Sequence, residues 1–170
     1  MIPRRRRPWQ GNIMLETALW LPLIFLLLVG MIELARVSYT YYMIHKMLYT
    51  LARYVGTQQG VNFCDDGDAV VTAAKNYALT GAVDDSGTPY VQGLAADMIS
   101  IRIERRDRDT GELAECDCAV PGCDAAGGGL APDFLVVSIP DGYPVRLTFP
   151  TLLLDAIPLR FQVRVPFGGT

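Results

Sequence analysis

Histidine is nearly missing from this chain: His45 is the only one in 170 residues. A lone histidine argues against the usual general-base and metal-centre designs, which need it beside a nucleophile or other ligands. No G-x-S-x-G nucleophile turn is present. The glycine-rich stretch AAGGGLAP lacks the strand-to-helix setting and the Lys-Ser/Thr of a phosphate loop, so it reads as a flexible loop. CDDGD and DRDTGE gather acids around glycine but lack the closing glutamate of a calcium loop, so both read as turns. There are no convincing repeats. Nothing calls for a cofactor, a catalytic residue or a metal, and the chain is expected not to be an enzyme.

Charge is missing where it matters most. From Thr17 to Ile32, sixteen consecutive residues carry none, and Glu16 is the only charged residue between Asn12 and Ile32. At about 1.5 Å rise per residue, some 20 residues cross a hydrocarbon layer of about 30 Å. Arg4, Arg5, Arg6 and Arg7 precede the run and predict a cytoplasmic N-terminus, with everything after about residue 36 outside. Trp9 suits the inner interface, and Tyr39, Tyr41 and Tyr42 suit the outer one. Without those four arginines the chain has 11 basic residues against 18 acidic ones, a balance of −7, so the exported part is acidic. Such a domain is a poor partner for nucleic acid, whose phosphates require Lys and Arg.

Three readings fit a basic start followed by an apolar run. A secretory signal has a shorter core, about 7–15 residues, and ends in small residues. This run ends in Glu33-Leu34-Ala35-Arg36, and helix-forming sequence continues past it. A plain single-span anchor, with an exported ligand- or partner-binding head, explains the length and the arginines but leaves Glu16 without a purpose. The third reading uses Glu16. A glycine, Gly11, lets a protease approach the backbone closely. Cleavage after it leaves an α-ammonium on Asn12, the kind of partner a carboxylate in a membrane requires.

The order basic leader, Gly11, Asn-Ile-Met-Leu-Glu and long apolar helix resembles the processing site of type IV prepilins. More narrowly, GNIMLETALWLPLIFLLLVGMIELARVSYTYY is similar to the TadE-like family, minor pilins or pseudopilins of tight-adherence (Flp-type) pilus systems. The features that carry this are Gly11, Glu16, Ala18-Leu19, Leu21-Pro22-Leu23, Gly30, Glu33 and Arg36, and the similarity covers about residues 7–56. The resemblance implies cleavage between Gly11 and Asn12 by a prepilin peptidase and a register role in assembly for Glu16. It implies a membrane-boundary motif at Glu33 and Arg36. It also implies residence in the bacterial inner membrane with the head outside, and incorporation into the pilus. The implied partners are the prepilin peptidase, the major pilin and TadE/TadF-like minor pilins, with surface adherence and biofilm formation as the outcome. The resulting division is a leader at 1–11, a transmembrane helix at 12–36, a helical stalk at 37–56 and an exported head at 57–170.

The fold class expected is α+β, a long N-terminal helix followed by a small antiparallel β-rich head. Ile44, Met47, Leu48, Leu51 and Val55 recur at spacings of three and four, so the helix should run to Gly56. Pro22 is a potential kink. Asp68 to Leu79 reads as a second helix capped by Asp68 and stopped at Gly81. MISIRIE, FLVVSI, the alternating residues Tyr143 to Phe149 and LRFQVRVPF read as four strands, with Pro140-Asp141-Gly142 as a turn between the middle two. One face of the sheet should lie against the stalk. Cys64, Cys116, Cys118 and Cys123 all follow the apolar run, as disulfides in an oxidising compartment would. Cys64 is expected to pair into the 116–123 loop, with its partner open.

Overall fold

The computed structural model describes residues 10–84, 86–107, 109–120, 122–147 and 155–168, and the side chains of its first helix from Ile13 onward. That helix, α1, runs from Gln10 to Gly56 without a break at Pro22. Its 47 residues correspond to about 70 Å at about 1.5 Å each. The two halves differ sharply. Residues 13–28 are exposed on every side, whereas Ile44, Leu48, Leu51 and Val55 are fully buried in the head.

A second helix, α2, spans Ala69–Thr80. The Asp68 carboxylate accepts hydrogen bonds from the Val70 and Val71 amides, occupying donors that a helix start leaves open. Gly81 ends it at φ 82°, with its amide donating to the Tyr77 carbonyl. Both ends fall within a residue of the sequence expectation. Val71, Ala74 and Ala78 face α1 and the core.

The head is closed by a four-stranded antiparallel sheet in the order β2-β1-β3-β4: β1 Ser100–Arg106, β2 Leu113–Glu115, β3 Phe134–Val145 and β4 Ile157–Pro166. Alternation sorts its two faces. Ile101, Val137 and Val163 form one cross-strand row and Ile103, Leu135 and Val165 the next; all six are buried. α1 packs on β3 and β4 on this side. On the opposite face Arg102 and Arg164, in one cross-strand row through Val136, meet Glu115 and Glu104 at 3.0 and 2.8 Å. The Gly168 amide donates to the Gly56 carbonyl at 3.1 Å, tying the end of β4 to the end of α1.

Two strand expectations are corrected. Pro140-Asp141-Gly142 does not separate two strands. It is a bulge inside β3, where the register steps from Ile139↔Phe161 to Tyr143↔Leu159. Gly142 has φ 80°, and a Cβ there would lie 2.9 Å from Pro158 Cβ. A bulge needs the same left-handed glycine as a turn, so the tripeptide alone does not distinguish them. β3 ends at Val145, and Phe149 lies outside the described residues. The fourth strand is instead β2, three exposed residues too short to show a pattern.

Candidate functional site

The first half of α1 is long and apolar enough to cross a membrane, and none of its most apolar stretch is buried in the protein. Ile13, Leu15, Trp20, Phe25, Leu28 and Ile32 all present their side chains outward. A helix apolar all round needs an apolar solvent or other helices around it. Gly11 and Asn12 lie in its first turn, with their side-chain surroundings outside the described residues. Arg4, Arg5, Arg6 and Arg7 are also outside them. Glu16 is exposed and stands four residues, about one turn, from Asn12 on the same side of the helix.

The second charged station is Glu33, about 25 Å further along the axis. Unlike its exposed neighbours, Glu33 is only 9% exposed. Its Oε1 lies 3.6 Å from Arg36 Nη1, one helical turn on, while its Oε2 is buried without a hydrogen-bond partner. The two residues line a cleft of about 460 Å³ where α1 meets the head. Tyr143, near the end of β3, and Arg146, just after it, also line the cleft. The Tyr143 hydroxyl donates to the Gln92 carbonyl at 2.7 Å, joining the two head segments that form the far wall. The sequence brings Glu33 and Arg36 together by spacing alone. It gives no sign of the cleft, because Gln92 and Tyr143 meet only through the fold.

The four cysteines sit together at the end of the head. Cys64 and Cys118 are at disulfide distance, 2.08 Å, and Cys116 and Cys123 at 2.13 Å. Cys64 thus reaches into the 116–123 loop, and its partner there is Cys118. The sulfurs of Cys64, Cys118 and Cys123 lie within 4.8 Å of one another, and both bridges draw on this cluster. Sequence reasoning missed the buried group that organises the region. Asp124 accepts from the Phe63, Cys64 and Ala126 amides, so one carboxylate fastens the segment after α1 to the cysteine loop. The Arg105 guanidinium donates to the Gly122, Cys123 and Leu130 carbonyls from the other side. The only available sequence signal was an acid directly following Cys123.

Among the described acids, Asp107 is held below its usual carboxylate range. The backbone amide of Thr110, and then that of Asp109, stabilise its ionised form. It closes the β1–β2 hairpin in DRDTGE, where the Asp107 amide donates to the Glu112 carbonyl at 2.8 Å. His45 lies on the second half of α1, stacked on Tyr41 at 6.4 Å between ring centres.

Residues 11–53 match the family model for TadE-like protein. The match begins at Gly11, includes Glu16, Glu33 and Arg36, and ends in the buried stretch of α1. No curated protein and no solved structure matches the chain.

Proposed function

Starting from a TadE-like N-terminal segment, we propose that this chain is a minor pilin or pseudopilin of a tight-adherence, Flp-type pilus. It inserts into the inner membrane with its arginines inside and its head outside. A prepilin peptidase cuts between Gly11 and Asn12, and the processed helix packs into the pilus or the complex that initiates it. The role is structural rather than enzymatic. Its partners are the peptidase, the major pilin and sister TadE/TadF-like minor pilins, and its consequence is surface adherence and biofilm formation.

The observation that carries this reading is the family match from Gly11 to Arg53 on a helix whose most apolar stretch is nowhere buried in the protein. A filament subunit requires such a helix, because neighbouring subunits supply the packing. Glu16 adds support. A carboxylate in the first turns after a new chain start can pair with the α-ammonium of an adjacent subunit, fixing their axial offset. The acidic head, held to the far half of the same helix, gives the subunit a surface of its own.

The test is the N-terminal sequence of the protein recovered from membranes of cells carrying the native peptidase. Asn-Ile-Met-Leu-Glu is expected. A chain that keeps its arginines turns the protein into a plain single-span anchor, and a start near Arg36 makes the apolar run a signal peptide. Either result removes the pilin reading. A bulky residue at Gly11 should leave the precursor in the membrane. Glu16→Ala should insert normally but be recovered poorly with pili, and wild-type recovery would eliminate its register role.

A further inference from the structure

The cleft at the foot of the head has features that pilus assembly through the N-terminal helix does not require. Glu33 puts a buried carboxylate into it, with one oxygen paired loosely to Arg36 and the other unpartnered. A buried acceptor left without a donor is costly, and a persistent one marks a place where a ligand supplies the donor. The cleft also carries two guanidiniums, from Arg36 and Arg146. Its volume of about 460 Å³ falls within the range of small-molecule sites, about 300–1,000 Å³.

Position identifies the ligand, given the membrane reading of the apolar helix on which this inference rests. Ile13 to Ile32 is a span of about 30 Å, the thickness of the hydrocarbon layer. The next residue is Glu33, so the cleft opens at the depth of the lipid head groups. Exposed Tyr39, Tyr41 and Tyr42 follow within three turns, as an interfacial belt does. We propose that the cleft holds the head group of a zwitterionic aminophospholipid of the outer leaflet, its ammonium on Glu33 Oε2 and its phosphate against Arg36 and Arg146. A lysine from another subunit would satisfy Glu33 but bring a third cation to two guanidiniums. An anionic lipid would satisfy the arginines and leave Glu33 without a donor. A zwitterion meets both signs at once. The bound lipid would fix the height of the head above the bilayer before the subunit leaves the membrane.

The test is native mass spectrometry of the full chain in detergent with equal amounts of dioleoyl phosphatidylethanolamine, phosphatidylcholine and phosphatidylglycerol. Phosphatidylethanolamine should be retained about tenfold over phosphatidylcholine, whose quaternary nitrogen has no N–H to donate, as one charge-assisted hydrogen bond supplies. Glu33→Gln, nearly the same shape, should abolish that preference. Arg146→Gln should weaken both lipids together. Equal retention of the two by the unaltered chain overturns the proposal, as does a preference that survives Glu33→Gln. Retention of phosphatidylglycerol alone, indifferent to Glu33, also overturns it and leaves a simple anion site. The same spectra weigh the chain with or without residues 1–11, so an unprocessed protein that still selects the aminophospholipid counts against the pilin reading and not against this one.

Discussion

The two halves of α1 both carry many apolar residues and have opposite fates. Between Ile13 and Ile32 the apolar side chains point in every direction and none is buried in the head. Between Ile44 and Val55 they narrow to one stripe, with Lys46, Tyr49 and Arg53 on the other side, and that stripe is the centre of the core. The helix itself does not change. The expected solvent does: a stripe suits water on one side and protein on the other, and an all-round apolar surface suits lipid or neighbouring helices. Glu33 and Arg36 stand where one regime gives way to the other. One helix thus carries an exposed apolar half and a second half that holds the head.

Breaking the support of the second half should leave the first half untouched. The largest expected effect comes from Cys64–Cys118, which joins the segment just after α1 to a loop 54 residues away. Replacing both with serine should lower head stability by about 4 kcal/mol, from the chain-entropy cost of a loop that long. The Cys116–Cys123 bridge encloses only a short loop, separation 7, and its loss should cost about 2.5 kcal/mol. Denaturant unfolding of the full chain in detergent, followed by tyrosine fluorescence, reads both. An equal cost for the two would mean that strain or residual structure, not loop length, decides. The helicity of residues 13–32 should persist through the transition in every case.

A matched pair of leucines sharpens the contrast. Leu51 is 0% exposed and Leu26 is 66% exposed on the same helix. Leu51→Ala should cost the head about 3 kcal/mol, since it removes transfer energy and leaves a cavity. Leu26→Ala should change head stability by less than about 0.5 kcal/mol, because nothing in the protein packs on it. A comparable loss at both positions, by the same unfolding measurement, would show that the halves are energetically one unit.

Legibility in the sequence followed the range of the interactions. The helix stripe, the Asp68 cap and the Gly81 stop are local, and α1 and α2 end within a residue of where they were expected. Ile101 and Ile103 alternate within one strand, so β1 was visible too. Pro140-Asp141-Gly142 was misread because a turn and a bulge demand the same glycine conformation, and only pairing with Leu159 and Phe161 separates them. Of the candidate site, Glu16 stands out as a charge in an apolar run, whereas Glu33 and Arg36 are marked only by the resemblance to TadE-like sequences. The cleft could not be read, since its far wall depends on a Tyr143–Gln92 bond across 51 residues. Asp124 was hidden for the same reason. Two of its three amide partners lie some 60 residues away.

The smallest effect lies at the point of the head furthest from these arguments, the β1–β2 turn. Asp107 Oδ1 accepts from the Asp109 and Thr110 amides at 2.7 and 3.0 Å, and these bonds hold its pKa below the ordinary 3.8. A carboxyl whose folded pKa is depressed adds stability that is present above the unfolded value and lost as pH falls through the folded one. The Thr110 amide resonance should therefore titrate with a midpoint below 3.8, and the hairpin should loosen only in that acid range. The group is fully exposed, so the gain is screened and small, and Asp107→Asn should leave the unfolding midpoint at neutral pH nearly unchanged. A midpoint above 3.8 would mean that the turn's amides do not hold the carboxylate in solution. The buried Asp124 and the half-buried Arg105 would then fasten this end of the head without help from its turn.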